Sequence, residues 1–143
     1  MAHTYASNFI HCVFSTKERP LIAARRMAGL YAYLAGIAKS EGFPLLIAGG
    51  TTNHIHLLFV LTPSFSLAYA VQKLKGGSSR WMGRSFSWQE GYGAFSVSPS
   101  QVPVVKKYIR DQEGHRRKRS FEEEFLTLLR KCGIEYEPRY VFG

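Results

Sequence analysis

The sequence predicts an α+β protein with a ferredoxin-like βαββαβ core: an antiparallel sheet with helices on one face, then a tyrosine-bearing helix and a final helix. Three observations predict this class. Apolar residues alternate between a period of two and a period near 3.6, in the order strand, helix, strand, strand, helix, strand. The chain has 143 residues, 45% of them apolar, which is enough for one hydrophobic core. No linker or repeat divides it, so we interpret residues 1–143 as a single domain.

The first half of the chain contains three predicted strands and one helix. Thr4 to Ser15 is rich in β-branched and aromatic residues and predicts the first strand. Leu21 to Ser40 has apolar residues at steps of three and four, which indicates a helix. Phe43 to Ala48 is a short apolar strand. Thr51 to Val60, TTNHIHLLFV, follows a turn cluster and is expected to pair with it as a hairpin.

The second half adds three helices and a fourth strand. Ser66 to Met82 predicts a helix that the Gly76-Gly77 pair weakens and is expected to kink. The segment FSWQEGYGAFSVS predicts the fourth strand region, and Gln101 to Glu113 predicts the third helix. Ser120 opens a capping box that begins the last helix.

Composition restricts the classes of function. Lys and Arg number 19 against 10 Asp and Glu, and a formal charge of +9 favours a polyanionic partner such as nucleic acid, although a merely basic protein also fits. Cys12 and Cys132 are far apart and form no CxxC pair, so we expect reduced thiols and no zinc finger. The sequence has no apolar run of membrane-spanning length and no signal-peptide pattern, which predicts a cytoplasmic protein with no membrane partner.

Two histidines stand out in the third predicted strand. Side chains alternate along a strand, so His54 and His56 share one face and lie about 7 Å apart, twice the rise per residue. Two imidazoles at this spacing can converge on one cation. Histidine pairs also occur on strands without a metal, so the pair by itself leaves both interpretations open.

The third predicted helix adds a second set of polar residues. Tyr108, Gln112 and His115 stand at positions i, i+4 and i+7, on one stripe of that helix. If the helix covers the histidine face, Gln112 can give an oxygen to the same ion, with Tyr108 one turn away. The alternative is a half-buried tyrosine beside a solvated glutamine. The neighbouring stripe, which we expect to dock on the core, consists of Val102, Val105 and Ile109.

These motifs resemble those of the HUH nucleases, named for the pattern His-hydrophobic-His. The chain is more closely similar to the small single-tyrosine transposases of bacterial insertion sequences, the insertion-sequence-200-like family. The resemblance is carried by HIH, by YIRDQ some fifty residues later, and by LKGGSSRWM and WQEGYGAFSVSPSQV. It covers most of the chain, so it implies that residues 1–143 are one HUH transposase domain.

The resemblance implies a site and a reaction. His54, His56 and Gln112 would bind a divalent cation, Mg²⁺ or Mn²⁺, although two imidazoles would also accept zinc, cobalt or nickel. Tyr108 would attack a DNA phosphate and form a 5′-phosphotyrosine, which a 3′ hydroxyl can later reverse without ATP. Free tyrosine has a pKa of about 10 and is a poor nucleophile unaided. We expect nearby positive charge, from the metal or from Lys106, Lys107 and Arg110, to favour the phenolate.

The resemblance also implies the partners. They are single-stranded DNA with a hairpin at the element's ends, and a second copy of the chain in a homodimer, where the tyrosine helix of one subunit often completes the other's site. The segment Thr4 to Ser15 could pair as an edge strand across the two-fold axis. The residues expected to contact DNA are Lys73, Lys75, Arg80, Arg84, Lys106, Lys107, Arg110, Arg116, Arg117, Lys118 and Arg119.

The chain departs from the family pattern at two places. Asn53 stands where relatives often have an acidic residue, and His115-Arg116 where they often have His-His. One alternative is a domesticated relative that acts on chromosomal palindromes. Another is a non-catalytic ferredoxin-like nucleic-acid-binding module, which predicts neither a metal nor a covalent adduct. Replication initiators and relaxases share the histidine triplet but usually have three histidines and longer chains.

Overall fold

A computed structural model of the chain describes residues 3–18, 20–112 and 119–143. Within those ranges, none of the helices is both long and apolar enough to cross a membrane. Short 3₁₀ turns at Ala24–Arg26 and Pro99–Gln101 lead into the first and third helices. The regular elements are β1 (Phe9–Ser15), α1 (Met27–Glu41), β2 (Leu45–Thr51), β3 (His54–Val60), α2 (Leu67–Met82), β4 (Gly93–Val97), α3 (Val102–Arg110) and α4 (Phe121–Lys131).

The strands form one sheet in the order β2-β3-β1-β4, and each neighbouring pair is antiparallel. This is the predicted ferredoxin-like arrangement, and the α+β class is confirmed. Helices α1 and α2 pack on one face, where Leu34 and Leu74 join Ile55, Leu57 and Phe59 in the main core. The odd-numbered residues of β3 therefore point into this core, away from the histidines.

The opposite face of the sheet is covered by α3 and α4. Ile109 of α3 is fully buried against Leu58 and Val97, with Val102 and Val105 partly buried beside it, which confirms the predicted docking stripe. Helix α4 forms a third cluster with β1 and β4 around Phe125. The histidine face of β3 thus lies between the sheet and these two helices.

One expectation about the elements is wrong. The first strand begins at Phe9 rather than Thr4, and it lies between β3 and β4. It is therefore not an edge strand and cannot pair across a two-fold axis, because its main-chain groups already bond on both sides. Helix α2 runs without a break through Gly76-Gly77. A Cβ at Gly77 would lie 2.6 Å from Cδ1 of Ile37, so this glycine serves close packing of α2 on α1.

Candidate active site

The two histidines of β3 lie side by side beneath α3 and α4. His54 is 3% exposed and His56 is 0% exposed, and their ring centroids are 5.2 Å apart. Nδ1 of each ring lies within hydrogen-bonding distance of a neighbouring residue. Both Nε2 atoms therefore face the same point above the sheet.

The Nδ1 atom of His54 is held by its own hairpin. It lies 2.9 Å from Oδ1 of Asn53 and 3.0 Å from Oγ1 of Thr51. The Thr51 hydroxyl itself donates to Oδ1 of Asn53 at 3.1 Å, so this amide oxygen is an acceptor and Nδ1 of His54 is the donor. Nε2 of His54 then faces the site. Asn53, which replaces a frequently acidic residue, orients the first histidine.

The Nδ1 atom of His56 is 2.8 Å from Nε2 of His11, which projects from β1. Burial, and then the neighbouring charge of His56, lower the pKa of His11 to about 3, so His11 is neutral in the physiological range. A neutral His11 can accept from Nδ1 of His56 and leave Nε2 of His56 facing the site. Sequence reasoning missed His11, because only the β1–β3 register brings it diagonally next to His56.

Gln112 lies next to the histidines, as the sequence predicted. Gln112 is 1% exposed, and its Oε1 is 3.2 Å from Nε2 of His54. Its amide nitrogen donates to the Tyr108 carbonyl at 3.4 Å, which keeps the oxygen turned toward the ring. His115, on the same predicted stripe, falls outside the described residues.

A residue that sequence reasoning missed completes the cluster. Glu124 projects from α4, and its Oε1 lies 2.6 Å from Nε2 of His56 and 3.6 Å from Nε2 of His54. Ligand atoms of these three residues all lie within 4.8 Å of one another, a grouping that could hold a metal ion. One feature of the sequence indicated that Glu124 is buried. Glu124 falls on the apolar stripe of its helix, three residues after Phe121 and one before Phe125.

The histidines set the charge of Glu124. Burial by itself would raise its pKa, but hydrogen bonds from His54 and His56 outweigh burial and hold the pKa well below the usual range of a glutamate. Glu124 is therefore a carboxylate at neutral pH, and its negative charge lies beside the tyrosine.

Tyr108 is half-buried at the entrance to this cluster. Its ring centroid is 5.7 Å from that of His56 and 6.1 Å from that of His11. Burial raises the pKa of Tyr108, and the charge of Glu124 raises it further. A hydrogen bond from Gln112 and the charge of Arg119 act in the opposite direction without balancing them. Arg119 therefore favours the phenolate, as expected of a nearby positive charge, but burial and Glu124 outweigh it and keep the phenol protonated.

A cleft of about 460 Å³ opens above Tyr108, between α3 and α4. Glu124 and His11 lie at its floor, and two cations, Arg119 and Lys131, line its walls. Its remaining lining is apolar or neutral and consists of Val104, Val105, Thr127 and Leu128. The cleft therefore leaves Tyr108 accessible beside two positively charged side chains.

The predicted DNA-contacting residues divide into several groups. Lys107, Arg110 and Arg119 are exposed on the side of α3 and α4, with Lys106 half-buried among them. Lys73, Arg80 and Arg84 are exposed on or just after α2, across the sheet from Tyr108. The remaining members of the basic run, which lie outside the described residues, are Arg116, Arg117 and Lys118.

Lys75 has a different role from the one predicted. Its ammonium donates to three backbone carbonyls, at 2.6 Å to Gln89, 2.9 Å to Glu90 and 3.0 Å to Gly91. These bonds use all three donors and hold the segment before β4. The ammonium of Lys75 therefore has no donor left for a phosphate.

Fold and site together define a ferredoxin-like protein in which paired histidines, an amide, a carboxylate and a tyrosine meet below a cleft lined by cations. Residues 4–112, more than half of the chain, match the family model described as "Transposase IS200 like". The chain belongs to this family and is a DNA transposase. The match ends at Gln112, so α4 and Glu124 lie beyond it.

Individual relatives agree with this assignment. The ISDra2 transposase TnpA of Deinococcus radiodurans is 27% identical over 114 residues, which cover 71% of this chain and 81% of that protein. A Deinococcus radiodurans R1 protein solved as a candidate transposase superposes with a TM-score of 0.62 and 25% identity, covering 78% of this chain and 96% of its own.

A third comparison concerns the fold alone. The structure of a REP-associated tyrosine transposase bound to a REP hairpin superposes with a TM-score of 0.63. The alignment covers 85% of this chain and 74% of that one, at 11% identity.

Proposed function

We propose that this transposase is a metal-dependent enzyme of single-stranded DNA, that residues 1–143 act as one catalytic domain, and that Tyr108 is its nucleophile. One observation carries the proposal. Tyr108 and Gln112, from the α3 segment, lie directly over His54 and His56 of β3, although more than fifty residues separate the two motifs.

His54, His56 and Gln112 are the proposed ligands of Mg²⁺ or Mn²⁺. The donor set fits, because Nε2 of His54 is 3.2 Å from Oε1 of Gln112, and neighbouring ligands of an octahedral ion of this size lie about 3 Å apart. Each ring also has its Nδ1 bonded to another residue, as metal-binding histidines usually do. When bound, the ion would supply charge neutralisation at the non-bridging oxygens of the scissile phosphate.

The chemistry proposed for Tyr108 is a reversible transesterification. The phenolic oxygen forms a bond to phosphorus, the bond from phosphorus to the 3′ oxygen breaks, and the phenol's proton ends on the released 3′ hydroxyl. A 5′-phosphotyrosine results, and attack by a 3′ hydroxyl reverses it. Because the pKa of Tyr108 is raised, the phenol keeps its proton until the attack.

The cleft above Tyr108 supports a single-stranded substrate. Its volume of about 460 Å³ fits a short stretch of DNA backbone but not a duplex, and the cations at its walls, Arg119 and Lys131, suit phosphates. Exposed Lys107 and Arg110 extend this basic surface along α3. On the opposite side of the sheet, Lys73, Arg80 and Arg84 are proposed to contact DNA at a distance from the cleavage point.

Recognition of a hairpin and assembly as a homodimer are also part of the proposal. Hairpin recognition is supported by the relative of the same fold that was solved with a hairpin bound. Within one chain Tyr108 already lies beside His56, so the proposed homodimer uses each tyrosine in its own subunit.

The decisive experiment looks for the covalent intermediate. The protein is incubated with labelled single-stranded oligonucleotides from the flanks of its element, in Mn²⁺ or in EDTA, and resolved under denaturing conditions. We expect a covalent protein–DNA band in Mn²⁺ alone, absent in Tyr108→Phe and retained in Tyr5→Phe, whose tyrosine is 91% exposed. A band that persists in EDTA or in Tyr108→Phe would contradict the proposal.

A further inference from the structure

Glu124 reaches the candidate metal site from a part of the chain that the family model does not match. Glu124 is 5% exposed, and its Oε1 is 2.6 Å from Nε2 of His56. A buried carboxylate at the ligand atoms of two histidines needs a physical explanation, because burying a charge is costly.

Packing on both sides of Glu124 sets its position. Ser120 caps the N-terminus of helix α4, and its Oγ accepts a hydrogen bond from the Glu123 amide at 3.2 Å. Phe121 and Phe125 then anchor the helix on β1 and β4, and the Phe121 ring lies 4.8 Å from that of His54. Glu124 stands between these anchors, so the helix cannot pack in this way without placing the carboxylate over the histidines.

The chemistry of the donors favours a shared ion. Mg²⁺ and Mn²⁺ prefer carboxylate oxygens to imidazole nitrogens, and His54, His56 and Gln112 together provide no negative charge. The distances from Oε1 of Glu124 to the two Nε2 atoms, 2.6 and 3.6 Å, lie on either side of the roughly 3 Å expected between neighbouring octahedral ligands. One carboxylate would bring the missing charge without any rearrangement of α4.

We propose that Glu124 is a fourth ligand of the divalent ion, so that the ion ties α4 to the sheet beside Tyr108. This inference rests on the proposed function. The competing explanation is that Glu124 occupies the place of the ion and has to leave when it binds. The two explanations predict different effects of removing the carboxylate on metal affinity. Removing the carboxylate weakens metal binding in the first case and leaves it unchanged or strengthens it in the second.

The test is Mn²⁺ binding measured by titration calorimetry, without DNA. Glu124→Gln is expected to bind Mn²⁺ at least 10-fold more weakly than the wild type. Glu123→Gln removes an exposed carboxylate one residue away on the same helix and should bind like the wild type. Glu124→Asp keeps the charge and should bind more tightly than Glu124→Gln. Unchanged or tighter binding by Glu124→Gln would overturn the proposal.

Hydrogen exchange of α4 provides a readout apart from affinity. Saturating Mn²⁺ should slow amide exchange in Phe121–Lys131 of the wild type and of Glu123→Gln, but not of Glu124→Gln saturated with Mn²⁺. Faster exchange on adding Mn²⁺ to the wild type would show that the helix leaves, which overturns the proposal. Matching exchange in metal-free wild type and Glu124→Gln confirms that the variant is folded.

His54→Ala separates the two levels of inference. If the wild type binds Mn²⁺, His54→Ala does not, and Glu124→Gln binds like the wild type, only the role of Glu124 is overturned. If the wild type binds no Mn²⁺, the metal part of the proposed function fails with it.

Discussion

At the scale of single residues, the candidate site depends on side chains that contact the proposed ligands and orient them. Asn53 and Thr51 hold one ring, and His11 holds the other. Each contact leaves an Nε2 atom facing Gln112 and Glu124. Orientation by such partners typically changes metal affinity by 10- to 100-fold, although the partner never touches the ion.

Asn53→Ala should therefore weaken Mn²⁺ binding by roughly 10-fold, because His54 loses the acceptor that fixes its tautomer. Asn53→Asp keeps an oxygen at the same place and should bind Mn²⁺ at least as tightly as the wild type. Titration calorimetry measures both. Equal affinity in Asn53→Ala and the wild type would show that the hairpin does not orient the ring.

Cys12 yields a prediction about pH. Its thiol is fully buried in the main core, and burial, the largest cause, raises its pKa from 9.0 to about 12. The unfolded chain loses this proton near pH 9 and the folded chain does not. The resulting stability is fully present below pH 9 and is lost as pH rises toward 12.

Between pH 8 and pH 10 the wild type should lose about 1.4 kcal/mol more unfolding free energy than Cys12→Ala. Urea unfolding of both proteins at the two pH values measures this difference. Ionisable groups that the two proteins share contribute equally to both, so their contributions cancel. An equal loss in the two proteins would mean that the thiol ionises without unfolding.

At the scale of elements, the placement of α3 determines whether Tyr108 reaches the histidines. The helix packs on β2 at Gly49, where an added Cβ would meet the carbonyl oxygen of Ile109 at 2.5 Å. That obstacle is backbone, so it cannot move without moving the helix that carries Tyr108. The close approach at Gly49 therefore sets the position of the tyrosine helix relative to the β2–β3 hairpin that carries the histidines.

Gly49→Ala should lower the free energy of unfolding by about 2 kcal/mol, the usual cost of overpacking. Among folded molecules it should also reduce the covalent adduct, because α3 is displaced. Gly36→Ala is the matched control. A Cβ at that position in α1 meets nothing within 4 Å, so alanine should stabilise by about 0.5–1 kcal/mol. Denaturant unfolding and the adduct assay test both variants, and an unperturbed Gly49→Ala would refute the tight contact.

At the scale of the whole molecule, the sheet separates the main hydrophobic core from the candidate site. The main core with α1 and α2 fills one face, and α3 and α4 enclose the candidate site on the other. Within one chain Tyr108 lies beside His56, so we expect a complete site to need a single subunit.

Mixing two inactive variants tests this arrangement. Tyr108→Phe and His56→Ala are each expected to form no adduct, and their mixture should also form none, because no subunit then carries both groups. Mixtures are refolded together so that subunits exchange, with wild type refolded with Tyr108→Phe as the positive control. Restored adduct in the mixture would show that the tyrosine serves its neighbour.

Much of this structure could be predicted from the sequence. The order of strands and helices, the shared face of His54 and His56, and the docking stripe of α3 follow from periodicities that extend over a few residues. The positions of Tyr108 and Gln112 on one helical stripe follow in the same way. Local geometry was enough to predict that these groups could meet.

By itself, then, the sequence determined the element order and which side chains share a face, since local backbone geometry decides both. Only the tertiary structure decided that β1 lies inside the sheet, that His11 supports His56, that Lys75 binds carbonyls and that Glu124 closes the site. Each of these depends on strand register or helix docking between residues far apart in the chain, and no periodicity records such contacts.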